Sequence, residues 1–315
     1  MQEYKYVYEV YKEHSFSKAA KNLYISQPAL SATIKKIEDR LGLQLFDRSS
    51  TALNLTKAGE AYIQTARKIM NLEDELNIYL QDLANLKTGS LILAGTAFFS
   101  SYIIPPIVKE YQNRYPGVNL EFIESDSLAL YKRAQENRID LIVDGGEYNR
   151  DRFERKVLFQ ETILLAVPRC MLKENHDDIM FSVEDICNNK HKSPELGCIN
   201  VKEFENQSFL LLKRKHDLYH RGMEICKEQE CSISSFIHLN QLMTVYNLVC
   251  QNLGIGFVTD TLIKCSKVQA DVVYFKIHVN NEALLKRDVF IAYRKNSHIT
   301  KAMHSFMDVA REYYG

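Results

Sequence analysis

The chain has 315 residues, no formal net charge, 46% hydrophobic residues and 25% charged residues. These values are typical of a globular protein with two or three domains, and they exclude a protein that holds nucleic acid through overall basicity. The charge is uneven, because residues 17–57 contain seven lysines and arginines but only three acidic residues. We therefore expect a small basic module joined to an acidic remainder.

The N-terminus and the cysteines indicate a cytoplasmic protein. The opening MQEYKYVYEV lacks the apolar segment and cleavage site of a signal peptide, and no run of about 18 apolar residues follows. The seven cysteines are scattered without a Cys-x-x-Cys pair, as expected for reduced thiols. A zinc site built from Cys226, Cys231 and His238 is a weak alternative, because paired ligand spacing is missing. We expect no metal, no cofactor and no membrane association.

Helical spacing of apolar residues predicts three short helices at the start of the chain. The first covers residues 2–14, and Ser17 is the expected cap of the second. The third has Ser26 as its cap, Pro28 in its first turn and Gly42 as its stop. Its apolar stripe consists of Leu30, Ile34, Ile37 and Leu41. The following LFDRSSTALNLT predicts a hairpin, or wing.

A long helix is expected over residues 58–86, where no Gly or Pro follows Gly59. Apolar residues recur along it at three- and four-residue steps, namely Tyr62, Ala66, Ile69, Leu76, Leu83 and Leu86. Little neighbouring sequence is available to cover this stripe, so we expect a partner helix from a second chain. The segment KTGS at 87–90 then predicts a hinge.

Beyond the hinge, strands alternate with helices, which predicts an α/β fold with a parallel sheet and covering helices. The predicted strands are LILAG, VNLEFI and DLIVD in a first set, and FLLL, SSFIHL and GIGFVTD in a second. The predicted helices are 101–114, 127–138, 215–229 and 241–252. Residues 176–207 are expected to be loop-rich, and the strands VVYFKI and VFIAY precede a last helix from Ile299.

Several of these segments resemble the LysR-type transcriptional regulators. The DNA-binding part of that family is similar to the segment SFSKAAKNLYISQPALSATIKKIEDRLGLQLFDR followed by LTKAGE. The effector part of the family is similar to the segments GTAFFSSYIIPPIVKEYQNRYPGVNLEF and LVCQNLGIGFV. The resemblance implies a winged helix-turn-helix at 1–58, a linker helix and hinge at 59–89, and an effector-binding domain at 90–315. That last domain is expected to form two α/β lobes like a periplasmic binding protein. Lobe one would comprise about 90–160 and 270–315, and lobe two about 161–269.

The third helix is the expected DNA reader, because helix-turn-helix proteins contact bases with the N-terminal residues of such a helix. Gln27 can pair with adenine, Pro28 and Ala32 can contact a thymine methyl, and lysines suit phosphates. The expected contacts are Ser26, Gln27, Pro28, Ser31, Ala32, Lys35, Lys36 and Arg48. The simpler reading is that Ser26 only caps the helix and that the lysines form a solvated face. The wing has only Arg48 and Lys57 as cations, fewer than is usual in the family.

The effector is expected at the carboxyl ends of strands, where loops enter helices. The predicted effector contacts are Thr96, Phe98, Phe99, Ser100, Ser101, Asn240, Gln241 and Thr244. Hydroxyls, amides and helix N-termini favour a carboxylate, whereas Phe98 and Phe99 either fill the core or contact an apolar body. No arginine lies at either turn, so we expect hydrogen bonds and helix dipoles to hold the charge. A small organic acid with hydrophobic bulk is therefore predicted.

The expected partners are double-stranded promoter DNA with an inverted repeat, the effector, and a second copy of the chain in a homodimer that could pair again into a homotetramer. Two alternatives stay open at this point. An enzyme is disfavoured because the sequence has no Gly-x-Ser-x-Gly, P-loop, Gly-x-Gly-x-x-Gly or His-Glu-x-x-His motif. A solute-binding module without a DNA-reading role is disfavoured by the basic N-terminal helices.

Overall fold

The computed structural model describes residues 3–47, 53–83, 89–173, 176–233, 235–266, 268 and 270–315. The chain divides into two compact units, Met1–Leu86 and Lys87–Gly315. Across the described ranges, no helix has both the length and the apolar character needed to cross a bilayer. The predicted hinge lies largely outside these ranges, since only residues 89 and 90 of it are described.

The first unit begins with three helices, α1 (Glu3–Glu13), α2 (Phe16–Asn22) and α3 (Gln27–Leu41), as predicted. Their core consists mainly of Val7, Val10, Ala19, Ala20, Leu30, Ile34 and Ile37. The predicted cap of α2 is wrong: the hydroxyl of Ser15 accepts from the backbone N–H of Lys18, because Phe16 packs against the core and so enters the helix. Leu41 is 44% exposed and does not join the buried stripe of α3.

The predicted hairpin is present as β1 (Phe46–Asp47) and β2 (Asn54–Leu55), which pair in antiparallel register. The buried carboxylate of Glu38, on α3, accepts hydrogen bonds from the backbone N–H groups of Leu45 and Phe46. The turn into the wing is therefore attached to the helix that carries the predicted DNA contacts. The tip of the wing, including Arg48, lies outside the described residues.

Helix α4 (Lys57–Leu83) continues the first unit. It is attached to α1 by a hydrogen bond from the Tyr4 hydroxyl to Glu73 and by an ion pair of 3.0 Å between Lys5 and Glu73. Large apolar side chains on it nevertheless face solvent, and Leu76 is 56% exposed. Among the side chains of α4 that the structure describes, the exposed large apolar ones are Ile69, Leu72, Leu76 and Leu80. The side chain of Leu83 and all of Leu86 lie outside the described residues.

The second unit is built on a mixed sheet. The strands β3 (Ser90–Gly95), β4 (Asn119–Glu124) and β5 (Leu141–Asp144) pair in parallel, as predicted. The last strand of the sequence, β12 (Lys286–Arg294), inserts antiparallel beside β5, so the sheet is mixed, whereas the alternation of strands and helices predicted a parallel one. Three helices accompany this first lobe: α5 (Ile104–Arg114), α6 (Ser127–Gln135) and the C-terminal α11 (Lys301–Tyr314).

A strand that we did not predict, β6 (Phe153–Pro168), connects the two lobes. Its first part pairs with β12 up to Thr162, and its last part pairs with β10 (Gly256–Thr259) and β11 (Val272–Phe275). This pairing places β11 with the second lobe, although residues from 270 onward were expected in the first. The difference arises because a fully buried strand such as VVYF carries no local sign of its partner.

The second lobe also contains the parallel pair β8 (Ser208–Leu212) and β9 (Ser235–Leu239). Its longer helices are α8 (Asp217–Glu228) and α9 (Leu242–Cys250), close to the predicted spans, and α10 (Asp260–Ser266) follows β10. The segment expected to be loop-rich contains β7 (Met180–Phe181), the capped helix α7 (Val183–Cys187) and two 3-10 turns. Polar composition hid these short elements, since their apolar residues are few.

Candidate functional sites

The start of α3 presents its predicted DNA contacts to solvent. Pro28 follows Gln27 in the first turn of the helix, and both are exposed together with Ala32, Lys35 and Lys36. Leu30 and Ile34, on the opposite face, are fully buried. One face of α3 is thus packed in the core, and the other face is exposed and could enter the major groove of B-DNA, which is wide enough for a helix.

Three of the small polar side chains in this region already have hydrogen-bond partners within the helix. The Ser26 hydroxyl accepts from the Ala29 backbone N–H at 3.3 Å, so the capping role of Ser26 is realised. The Gln27 side-chain amide donates to the Ser31 hydroxyl at 3.2 Å. This bond between residues four apart orients both side chains along the exposed face. The two predicted base readers therefore form a pair in the protein alone.

The second predicted site is a cleft in the second unit with a volume of about 830 Å³. Six of the eight predicted effector contacts line it, namely Thr96, Phe98, Phe99, Ser101, Asn240 and Gln241. The other two, Ser100 and Thr244, are not among the lining residues. The cleft is therefore bounded by the end of β3 on one side and by the start of α9 on the other.

The turn after β3 forms a π-helix over Phe99–Ile103, which leads directly into α5. Phe98 and Phe99 are both buried and pack edge to face with centroids 5.3 Å apart, although each also borders the cleft. Ser100 is only 8% exposed, and its hydroxyl has no hydrogen-bond partner among the described residues. The two aromatic rings thus belong to both the core and the cleft wall.

Charged side chains of the cleft were missed, because the chain brings them from strands distant in sequence. Arg287, on β12, lines the cleft, and its Nε donates to Glu161 Oε1 of β6 at 2.5 Å. Burial alone would lower the pKa of Arg287, but the carboxylates of Glu161, Asp217 and Asp144 outweigh it and raise that pKa. Asp144, at the end of β5, also lines the cleft. Only the pairing of β12 between β5 and β6 reveals these neighbours.

The opposite wall contains His216 and Lys215 before α8. Burial and the charge of Lys215 lower the pKa of His216, and its Nε2 is buried without a hydrogen-bond partner in the described part of the chain. Lys215 lies 3.8 Å from Asp126, an ion pair between residues with partly exposed side chains. His216 therefore borders the cleft as a neutral imidazole near neutral pH.

The helices α8 and α9 both begin at the cleft. Their cap positions, His216 and Gln241, make no side-chain hydrogen bond to the first turn of the helix. The first N–H groups of these helices, together with the helix dipole, are therefore suited to an anion. Helix α6 also begins there, but the carboxylate of Asp126 caps it at the N–H of Ala129.

The zinc alternative has no counterpart in the described ranges, where no three His, Cys, Asp or Glu side chains are arranged to hold a metal ion. Cys226 and Cys231 are buried. Burial raises the pKa of both thiols, that of Cys226 to about 12. Protonated, buried thiols of this kind are poor nucleophiles.

Two family models match the chain and together cover almost all of it. Residues 1–60 match the bacterial regulatory helix-turn-helix protein model of the LysR family, and residues 84–315 match the LysR substrate binding domain. A relative from Bacillus subtilis (strain 168), the uncharacterized HTH-type transcriptional regulator YcgK, is 27% identical over 98% of this chain and 92% of its own length. A probable RuBisCO transcriptional regulator of Gracilaria tenuistipitata var. liui is 24% identical over 94% and 91%.

Solved structures of similar fold extend over almost the whole chain. A full-length OxyR variant from Pseudomonas aeruginosa superposes with a TM-score of 0.66 at 21% identity, covering 98% of this chain and 93% of that one. Full-length CbnR complexed with its target DNA superposes with a TM-score of 0.61 at 16% identity, covering 99% and 98%. At this level of identity the superpositions establish the fold.

Proposed function

Because the chain belongs to the LysR family of DNA-binding transcriptional regulators, we propose that α3 reads the DNA sequence and that an effector in the cleft modulates this activity. The observation that supports DNA reading most directly is the exposed, capped start of α3, with Gln27 and Ser31 oriented on its outer face. Amide and hydroxyl groups at such a position suit base edges in the major groove. The domain limits 1–58, 59–89 and 90–315 are part of the proposal.

Phosphate contacts would come from the exposed Lys35 and Lys36, and from Arg48 in the wing. Pro28 and Ala32 present small apolar surfaces for thymine methyl groups. Ser26 contributes to this surface chiefly by holding the helix start, since its hydroxyl is engaged as the cap. A gel-shift titration of the full chain on its own promoter region tests the proposal. Binding that depends on sequence and weakens steeply with salt supports it, whereas equal binding to scrambled DNA contradicts it.

We also propose that α4 pairs with its counterpart in a homodimer, and that the dimers can pair again into a tetramer. The exposed leucines at 72, 76 and 80 support this, because a row of large apolar side chains on a helix surface is normally covered by a partner. A two-fold dimer would read an inverted repeat whose half-sites lie about one helical turn, or a multiple of it, apart.

For the effector, we propose a small organic acid with an apolar body, bound between the two lobes. The uncapped starts of α8 and α9 would receive its carboxylate, and Thr96 and Asn240 would add hydrogen bonds. Phe98, which borders the cleft, would contact the apolar part. Thermal-shift screening of the full chain against acids, sugars and amines tests this. Stabilisation by a sugar that Thr96→Val and Asn240→Ala do not affect would contradict it.

A solute-binding module without a DNA-reading role remains the second candidate. Both candidates use the cleft, and they differ only in whether α3 contacts DNA. If promoter fragments fail to bind at low salt while an effector still stabilises the protein, the solute-binding role is supported and the reading of DNA by α3 is excluded.

A further inference from the structure

We propose that the effector carries an amino group that pairs with Asp144 in the wall of the cleft, so that the effector is an amino acid or a similar zwitterion instead of a simple acid. This inference rests on the proposed function, because it assumes that the cleft is the effector site. It goes beyond that function by specifying the charges of the ligand and the lobe that binds each one.

The first observation is the state of the Asp144 carboxylate. Asp144 is 3% exposed and lines the cleft at the carboxyl end of β5. Its Oδ1 accepts from the backbone N–H of Gly145 at 2.8 Å and of Gly146 at 3.3 Å. Its Oδ2 is buried, and no donor among the residues that the structure describes meets hydrogen-bond geometry with it, although the hydroxyls of Ser127 and Tyr131 lie near the carboxylate. A buried carboxylate oxygen without a donor is costly, so a donor on the ligand would be strongly favoured.

The second observation is that the neighbouring arginine is already neutralised. The fully buried carboxylate of Glu161 forms an ion pair with the Arg287 guanidinium and accepts a hydrogen bond from it. Asp144, Glu161 and Arg287 therefore form a buried group with two carboxylates and one cation. Burial raises the pKa of Asp144 and outweighs the lowering by the Gly145 N–H, the Ser127 hydroxyl and Arg287. A cation from outside would restore the charge balance of this group.

The lining of the cleft as a whole has more carboxylates than cations. Five carboxylates line it, namely Glu124, Asp126, Asp144, Glu147 and Asp217, against the lining cations Lys215 and Arg287. Asp217 is paired with Arg221 behind the lining, and Asp126 is paired with Lys215, so the excess is carried by Glu124, Asp144 and Glu147. A cleft with an excess of one charge concentrates ligands of the opposite charge. An organic acid that also carries an ammonium group would therefore meet less net repulsion in this cleft than an acid without one.

The third observation is the size and composition of the remaining wall. The volume of about 830 Å³ far exceeds that of a bare cation, and Phe98, Leu242 and Met243 supply apolar surface. The uncapped starts of α8 and α9 belong to the second lobe, whereas Asp144 belongs to the first. A zwitterion with its ammonium on Asp144 and its carboxylate on these helices would connect the two lobes through opposite charges.

The experiment uses the full chain and matched sets of probes. Each amino acid is compared with its deaminated acid and its decarboxylated amine, for example leucine with 4-methylpentanoate and 3-methylbutylamine, and phenylalanine with 3-phenylpropionate and phenethylamine. Thermal shift over all twenty amino acids identifies the binder, and calorimetry gives the affinities. We expect an amino acid to bind at least about tenfold more tightly than its deaminated acid, as for a lost hydrogen bond to a charged group.

Asp144→Asn supplies the decisive comparison, because the amide keeps an oxygen for the two glycine N–H groups. We expect it to weaken binding of the amino acid by about 10- to 100-fold and to make the weak binding of the deaminated acid no weaker, because the variant removes one repelling carboxylate. Glu121→Gln, which removes an exposed carboxylate from β4 outside the cleft, should leave both affinities unchanged. Without ligand, Asp144→Asn should melt no lower than the wild type, because it removes one of two buried carboxylates that share a single cation and keeps an oxygen for the glycine N–H groups.

The outcomes separate this inference from the proposed function. If the deaminated acid binds as tightly as the amino acid, and Asp144→Asn changes neither affinity, the zwitterion is excluded while the cleft remains the effector site. If the amine alone matches the amino acid and depends on Asp144, the ammonium site is supported and the carboxylate part of the proposed function fails. If no amino acid or amine stabilises the protein, the inference is overturned, whatever the gel shift shows.

Discussion

Replacing Gln27 by Ala tests whether the start of α3 discriminates bases. A bidentate contact between a glutamine amide and adenine is worth about 1–3 kcal/mol against the wrong base. To contact adenine, Gln27 must give up its 3.2 Å hydrogen bond to the Ser31 hydroxyl. That hydrogen bond is exposed to solvent and contributes only about 0.2–0.5 kcal/mol. We therefore expect the variant to lose roughly 1–2.5 kcal/mol on the cognate site, or about 5- to 70-fold in affinity.

The assay is a gel-shift or fluorescence-anisotropy titration on the cognate promoter and on scrambled DNA of equal length, at one fixed salt concentration. The loss on scrambled DNA should be less than about twofold, because a base contact contributes nothing there. Gln44→Ala is the matched control, since it removes an exposed glutamine side chain outside the predicted contacts. Equal losses on both DNAs would show that Gln27 contributes only to general affinity and would refute the reasoning.

Three further predictions concern stability and assembly. A Cβ on Gly59 would lie 2.1 Å from the Leu45 carbonyl oxygen, so Gly59→Ala should destabilise the protein by about 1–3 kcal/mol. Helix propensity alone predicts the opposite, namely a more stable protein. Denaturant unfolding measures whether the free energy of unfolding falls or rises. Leu76→Asp should dissociate the proposed dimer and weaken promoter binding together; a variant that stays dimeric by light scattering would exclude this face. Burial by itself would raise the pKa of Asp260, but hydrogen bonds from His191 and the Thr162 N–H and the charge of Lys264 outweigh burial and lower that pKa to about 2. Because this folded-state pKa lies below the ordinary 3.8, the ionised Asp260 carboxylate stabilises the folded protein above about pH 4. As the pH falls towards 2, the free energy of unfolding should drop by roughly 2 kcal/mol. When the free energy of unfolding is measured against pH, Asp260→Asn should not show this drop. A pH dependence equal to that of the wild type would contradict the prediction.

Local signals were sufficient for the DNA-binding part of the molecule. Ser26 caps α3, Pro28 fits its first turn, and Gly42 adopts the left-handed conformation that ends it, with φ of 69°. Each of these effects acts within a few residues of chain, so the helix and its exposed face follow from the sequence alone. Ser17 shows where this reasoning fails: Ser15 caps α2, and Phe16, which packs against the core, is the first residue of the helix.

The effector cleft depended on pairings that no local pattern records. The turn after β3 and the start of α9 could be predicted from hydroxyls, amides and strand ends, since loops at carboxyl ends of strands form clefts. Arg287 and Asp144 could not, because they become neighbours only when β12 inserts between β5 and β6. Strand β6 was missed for a related reason: the polar QET at 160–162 interrupts its apolar run where it passes between the lobes. The sequence by itself therefore determined the family, the helices and the exposed face of α3. The tertiary structure alone decided the charges of the cleft, because the free energy of a buried charge is set by neighbours distant in the chain.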